Sequence, residues 1–358
     1  MRSWTFKIAF STLCNMEEKN TKPYGEIKLG KEKDAMLEFA GSITPETLER
    51  HKQCVIREIQ RDFEAPGFRK GRAPEDLVLK TTNPSRLLEE AADSALREVY
   101  PLIIEDFNLR VITPPEVTVT KLAFGSPLEF TVRVGLYPEV KLPDYKGIAK
   151  KVMRNDNDPI EVTEAQVEEL IKEVREFRAE EGKTTPELTD ESVKTFGDFE
   201  SVDDFKGKMA ENLMLEKELE RRKKKREELA KQLVDAAKFS VPDALVESEL
   251  IVTRDALYNE INENKLSKEE YFKRIGKTED EFLKIQRDAL VRQFKTKFIL
   301  EAIAKEERIE PTNEELEAEA AAVSSRYPGI EPDELIRYVS EMLKNEKALQ
   351  FLEGQGDK

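Results

Sequence analysis

Histidine is nearly absent from this chain: His51 is the single one among 358 residues. That removes most catalytic triads, most zinc sites and most histidine acid–base mechanisms, because each depends on an imidazole at a defined place. Two cysteines, Cys14 and Cys54, form no CxxC pair. That pattern excludes a secreted multi-disulfide framework and fits a reducing, cytoplasmic setting. No run of 18 apolar residues occurs, so no membrane-spanning helix is expected. The stretch Trp4–Leu13 is mildly apolar, with Arg2 and Lys7 nearby, but has no leucine-rich core or small-residue cleavage site. It is not read as a signal peptide, and Met16 is an alternative start. A Walker loop, a dinucleotide glycine motif and a calcium loop are all missing. The carboxylates show no spacing that suggests a paired acid–base site. No catalytic residue, metal or cofactor is therefore expected.

Charge is what the chain has in abundance. Asp, Glu, Lys and Arg make up 37% of it, and the net charge is −15. Such a balance argues against a generic nucleic-acid binder. The charge is uneven, however. Between residues 50 and 72, Arg50, Lys52, Arg57, Arg61, Arg69, Lys70 and Arg72 face only Glu58, Asp62 and Glu64. Positive potential is thus concentrated in one short segment of an acidic protein.

Patterning divides the chain into an N-terminal extension and first strand region (1–36), an α+β domain (37–145), a linker (146–160), a helical domain (161–352) and a tail (353–358). In the α+β domain, Thr44 and Pro45 open a helix as hydroxyl cap and first-turn proline. Leu48, Val55, Ile56, Ile59 and Phe63 give that helix an apolar face, and Pro66-Gly67 ends it. Ser85 is expected to cap a longer helix. Val117 and Val119, then Phe130, Val132, Val134 and Leu136, alternate with polar residues as strands with one buried face. His51 is expected on the surface of the first helix. The linker is suggested by lysines followed by Asn155-Asp156-Asn157-Asp158-Pro159. Beyond it, capping boxes recur at Thr163/Gln166, Ser267/Glu270, Thr278/Glu281 and Thr312/Glu315, and a long helix is predicted near 279–306. No repeat of fixed period is present. The basic run Arg221–Arg226 sits among Glu216, Glu218, Glu220, Glu227 and Glu228. RNA binding by this run competes with a plainer reading, a solvated helix surface of paired charges, which is favoured.

The most informative string is Gly67-Phe68-Arg69-Lys70-Gly71-Arg72-Ala73-Pro74, a loop between two helices. Its glycines permit backbone angles that other residues disfavour. One large ring beside two adjacent cations suits a mixed target, with phosphate for the cations and an apolar pocket or a base for the ring. An ordinary solvated loop has the same composition.

This string resembles the ribosome-binding signature of the trigger factor family. The flanking helices from Thr44, Pro74 and Ser85, and the phrase Val134-Gly135-Leu136-Tyr137-Pro138-Glu139-Val140, follow in that family's order. The resemblance covers roughly 37–181 and 186–352. It implies an α+β N-terminal ribosome-binding domain followed by an all-α helical chaperone domain with arms, trigger factor/SurA-like. It implies that Gly67, Phe68, Arg69, Lys70, Gly71 and Arg72 dock on the large ribosomal subunit, on ribosomal protein and rRNA near the peptide exit. The other partners it implies are unfolded nascent polypeptides, with a weak homodimer as an option and no membrane. One part of the family pattern is missing. Members usually carry an FKBP-type prolyl isomerase after the first helix of the central region. Here that helix runs to about Glu181, and Pro186-Glu187-Leu188-Thr189-Asp190 resembles the segment that follows the isomerase. A small barrel needs several strands of about five or six residues, so none fits between. The expectation is a non-enzymatic, ATP-independent chaperone. A prolyl isomerase like full-length members, or a ribosome-free holding or assembly factor, remains as an alternative.

Overall fold

The computed structural model describes residues 4–5, 22–64, 66, 68–123, 125–155, 159–178, 187–327 and 329–356. Expectations about Leu13, Cys14, Met16, Gly67 and the join at 181–186 lie outside these residues. The chain forms two units, Met1–Glu139 with Phe239–Phe294, and Val140–Lys238 with Lys295–Lys358.

The first unit is built on an antiparallel sheet of β1 (Trp4–Thr5), β2 (Lys28–Leu29), β3 (Met36–Ile43), β4 (Glu116–Lys121) and β5 (Leu128–Gly135), in the order β1-β4-β5-β3-β2. Alternation decides which face is buried. Leu37, Phe39 and Ile43 of β3 and Leu128, Phe130, Val132 and Val134 of β5 point into one core, while Glu38, Glu129 and Arg133 remain outside. Three helices follow β3 in sequence: α1 (Pro45–Asp62), α2 (Glu75–Thr81) and α3 (Pro84–Asp106). Leu88, Ala91, Ala92, Ala95, Leu96, Val99 and Ile103 of α3, with Leu48 of α1, cover the sheet.

Thr44 caps α1 as expected, its side chain accepting from the Thr47 N–H at 3.3 Å. The cap of α3 differs from the expected Ser85. Asn83 Oδ1 accepts from the Ser85 N–H at 2.9 Å, and Pro84 occupies the first helical position. The amide of Asn83 reaches the first free N–H groups as well as a hydroxyl would. His51 corrects a second expectation: it is buried, with 2% of its surface exposed. Its Nδ1 lies 2.8 Å from Ser94 Oγ and its Nε2 3.1 Å from Glu98 Oε2, which ties α1 to α3. The hydrogen bond to His51, outweighing burial, holds the Glu98 carboxyl below its usual range, with help from Arg50. Position 51 lies three residues after Leu48 and four before Val55, on the apolar stripe itself.

The remainder of this unit is helical. α8 (Asp243–Glu263), α9 (Lys268–Ile275) and the start of α10 (Glu279–Glu306) share a small core of Leu257, Ile261 and Phe272 with Phe282. Both expected capping boxes form here. Ser267 exchanges bonds with Glu270, and Thr278 with Glu281.

The second unit contains α4 (Tyr145–Arg154), α5 (Glu164–Arg178), α6 (Asp190–Val193), α7 (Val202–Ala236), the end of α10, α11 (Asn313–Arg326) and α12 (Pro332–Glu353). Residues 146–160, expected as a linker, hold most of α4. Asp144 caps it by accepting from the Gly147 N–H at 3.0 Å, and Ala149, Val152 and Met153 bury one face. At 35 residues, α7 is about 52 Å long at 1.5 Å per residue. It is buried chiefly near its two ends. Phe205 joins Val167, Ile171 and Val193 in one core, while Leu229, Leu233 and Val234 are buried near the other end.

The basic run on α7 is not a purely solvated surface. Arg222 holds Glu353 of α12 through two bonds, at 2.9 and 2.8 Å. Arg226 reaches both Glu346 and Glu353, and Lys225 donates to the Met153 carbonyl at 2.9 Å. Sequence spacing showed only the glutamates on the same helix, whereas the α12 glutamates lie more than a hundred residues away and Met153 lies 72 away. Burial pushes the Glu353 carboxyl up, but the bonds from Arg222 and Arg226 outweigh it and hold the group at about 2.

A carboxyl lowered in this way contributes stability above its unfolded value near 4.5 and loses it as pH falls toward about 2. Glu353→Gln should therefore destabilise the protein by roughly 2 kcal/mol at pH 7, since it leaves the partly buried Arg226, and the exposed Arg222 beside it, short of a partner. The difference from wild type should shrink as pH falls through that window. Urea unfolding at pH 7 and pH 3 checks this, and a difference independent of pH would contradict it.

Candidate docking loop

The loop begins where α1 stops. Phe63 leaves the helix in an extended conformation, its N–H still bonded to the Gln60 carbonyl at 3.2 Å. From there the chain swings out and returns to the same turn. The Gly71 N–H donates to the Phe63 carbonyl at 3.2 Å, and Gln60 Nε2 donates to the Ala73 carbonyl at 2.6 Å. Ala73 is buried at 1% exposure, and Pro74 then starts α2. Beneath the loop, Val55, Ile56 and Leu87 form a small core with Ile59 and Leu79. The loop is therefore closed at its base by two hydrogen bonds and one buried methyl.

Gly71 is required by this closure. Its φ is +75°, and a Cβ there would stand 3.0 Å from the Arg61 carbonyl oxygen. A side chain at this position meets both backbone strain and a tight contact with a main-chain atom. A further bond, from the Arg72 N–H to the Arg69 carbonyl at 2.9 Å, turns the chain at the tip.

Of the six expected site residues, Gly67 lies outside the described residues. The other five fall on this one loop. Phe68 leaves 45% of its surface exposed and belongs to no core cluster among the described residues. Arg69, Lys70 and Arg72 are exposed, and Gly71 is half-buried. Lys70 Nζ lies 3.3 Å from Asp62 Oδ1, but both side chains are more than half exposed, and such pairs contribute about 1 kcal/mol or less. The pairing can be exchanged for another anion at little cost. The tip thus offers an unburied ring beside a cluster of cations, on a base that does not depend on any of them.

A second class of surface was not separable from core by sequence. The middle of α7 exposes Met214, Leu215 and Leu219, and α8 exposes Ile251 and Val252. On α12, Ile336 and Tyr338 are exposed. Each lies on a helix that also buries apolar residues, so apolar character alone does not separate them from core. Among the described residues no cluster of His, Cys, Asp or Glu could hold a metal ion, and no helix is long and apolar enough to cross a membrane.

A family model described as bacterial trigger factor protein matches residues 26–174, and one for the bacterial trigger factor C-terminus matches residues 201–352. The trigger factor of Agathobacter rectalis is 22% identical, over 86% of this chain and 89% of the relative. That of Thermobifida fusca is 24% identical, over 86% of this chain and 83% of the relative. A solved structure of the trigger factor chaperone, described in terms of promiscuous substrate recognition in folding and assembly, superimposes with a TM-score of 0.56. That match is 19% identical and covers 92% of this chain and 99% of the other, a likeness of fold. With both family models placed in order along most of its length, the chain belongs to the trigger factor family.

Proposed function

We propose that this protein is a cytoplasmic, ATP-independent chaperone that docks on the large ribosomal subunit through residues 67–72 and shields nascent chains. The observation that carries the reading is the loop itself: an exposed Phe68 with Arg69 and Lys70, on a base closed by Gly71 and Gln60. A closed base presents the tip with little entropy to lose on binding, which favours recognition. Exposed apolar residues on α7, α8 and α12, within a charged surface, suit weak binding of many unfolded sequences. The solved relative's promiscuous substrate recognition agrees with that. With no nucleotide loop in the sequence, holding would not be coupled to ATP.

The proposal includes the absence of prolyl-isomerase activity. Residues 175–200, between the two matched regions, are too few for a barrel of several strands with its turns. Val167 and Ile171 of α5 pack directly with Val193 of α6 and Phe205 of α7. The segments on either side of the join thus complete a core with each other. The purified protein should leave the isomerisation of a proline peptide at its own rate, tens to hundreds of seconds. Acceleration that scales with protein concentration and survives repurification contradicts this.

Replacing Phe68, Arg69 and Lys70 together by alanine should abolish co-sedimentation with ribosomes. Stability should stay within about 0.5 kcal/mol, because none of the three contributes to a core. Phe68→Ala alone should weaken binding by about three- to tenfold, since burying the 45% of its surface that is exposed is worth roughly 0.7–1.4 kcal/mol. Its dependence on salt should not change. Unchanged co-sedimentation of the normally folded triple variant would favour a ribosome-free holding factor.

A further inference from the structure

Carboxylates outnumber cations in this chain, 74 to 59. An arginine side chain therefore has carboxylates nearby in most of the chain, and half of the eight arginines between residues 50 and 110 have found a partner. Arg50 pairs with Glu98, Arg86 with Glu90, and Arg97 with Asp93, while Arg110 stacks on Tyr137 at 4.1 Å. Four others, Arg57, Arg61, Arg69 and Arg72, are exposed and make no side-chain ion pair or hydrogen bond among the described residues. They form one group in space. Arg57 and Arg61 are four residues apart, so they share a face of α1 about 6 Å apart along its axis. Gly71 folds back against the Arg61 carbonyl, which brings the loop and Arg72 to the same turn.

Four solvated guanidinium groups gathered beside the loop leave a positive patch on an acidic protein, free to meet an anion from outside the chain without breaking internal pairs. Their chemistry selects that partner. Guanidinium forks match phosphate oxygens in two-bond geometry, and a row of them along a helix matches a row of phosphates. A protein partner would present scattered carboxylates. Exposed acids also occur nearby in sequence, Glu58 and Glu64 on this segment and Glu75 and Asp76 on α2. Asp62 is engaged by Lys70.

We infer that Arg57 and Arg61, together with Arg72, form a phosphate-binding face on α1 that extends the docking loop onto the backbone of ribosomal RNA. The inference rests on the docking reading above and deepens it. The loop tip supplies the apolar anchor, and the helix face supplies most of the electrostatic attraction. In a chain of net charge −15, this face is what allows approach to a polyanion.

The test is ribosome binding by the full chain as a function of salt, for wild type, R57A/R61A and R57K/R61K. Both positions are solvent-facing on a helix, and alanine and lysine are good helix formers, so the fold should be kept. R57A/R61A should bind about tenfold or more weakly near 0.1 M salt. Its plot of log affinity against log salt should be shallower by about 1.4, at about 0.7 per phosphate contact. R57K/R61K should retain the wild-type slope. Three results would overturn the inference. Wild-type affinity and slope in R57A/R61A, with Phe68→Ala still defective, would leave the docking reading intact and remove the RNA face. Weaker binding of R57A/R61A with an unchanged slope would assign the contact to protein. No binding by wild type at all would remove the docking reading and this inference with it.

Discussion

The two hydrogen bonds that close the 63–73 loop, from Gly71 to Phe63 and from Gln60 to Ala73, are the constraint on which the proposed function depends. They return the chain to the turn of α1 that it left, so the tip between them need not contribute to stability. A ring as large as Phe68 can then remain in water because the cost of its exposure is not charged against a core. The closure in turn requires a rigid α1. That helix is held by Leu48 in the sheet core, by the buried contacts of His51 with Ser94 and Glu98, and by Val55 and Ile56 beneath the loop. The sheet positions α3, α3 positions α1, and α1 presents the loop.

The second unit follows a related logic with different chemistry. Its long helix α7 is fixed near its ends, by an aromatic core around Phe205 at one and by Leu229, Leu233 and the Arg222 and Arg226 clamp at the other. Between them Met214, Leu215 and Leu219 remain uncovered. A helix anchored in this way can expose apolar side chains without collapsing onto them. High net charge opposes self-association of the surfaces so exposed. Both features agree with the proposed holding of unfolded chains.

Much of this architecture is legible in the sequence because it rests on local signals. Thr44-Pro45 marked the start of α1, glutamate three residues after a hydroxyl marked the capping boxes, and alternating apolar residues marked β4 and β5. The long helix expected near 279–306 is α10, Glu279–Glu306. What was not legible depends on partners distant in sequence. The Arg222 and Arg226 clamp needs glutamates more than a hundred residues away, and α4 looked like a linker because only three of its residues are buried. Exposed and buried apolar residues occur on the same helix, so the uncovered stretch of α7 could not be told from core by apolar character alone. His51 is the exception. Its place on the stripe of Leu48 and Val55 was readable, and treating it as a surface residue set its polarity above its position.

Cross-linking reports the docking surface most directly. A photoreactive side chain at position 68 of the full chain, mixed with ribosomes, should form cross-links to components of the large subunit beside the peptide exit. The same group at Leu29, also exposed but on the β2 edge strand of the sheet, should not. Cross-links from position 29 in place of position 68, or none from position 68 while the protein co-sediments, would contradict docking through this loop.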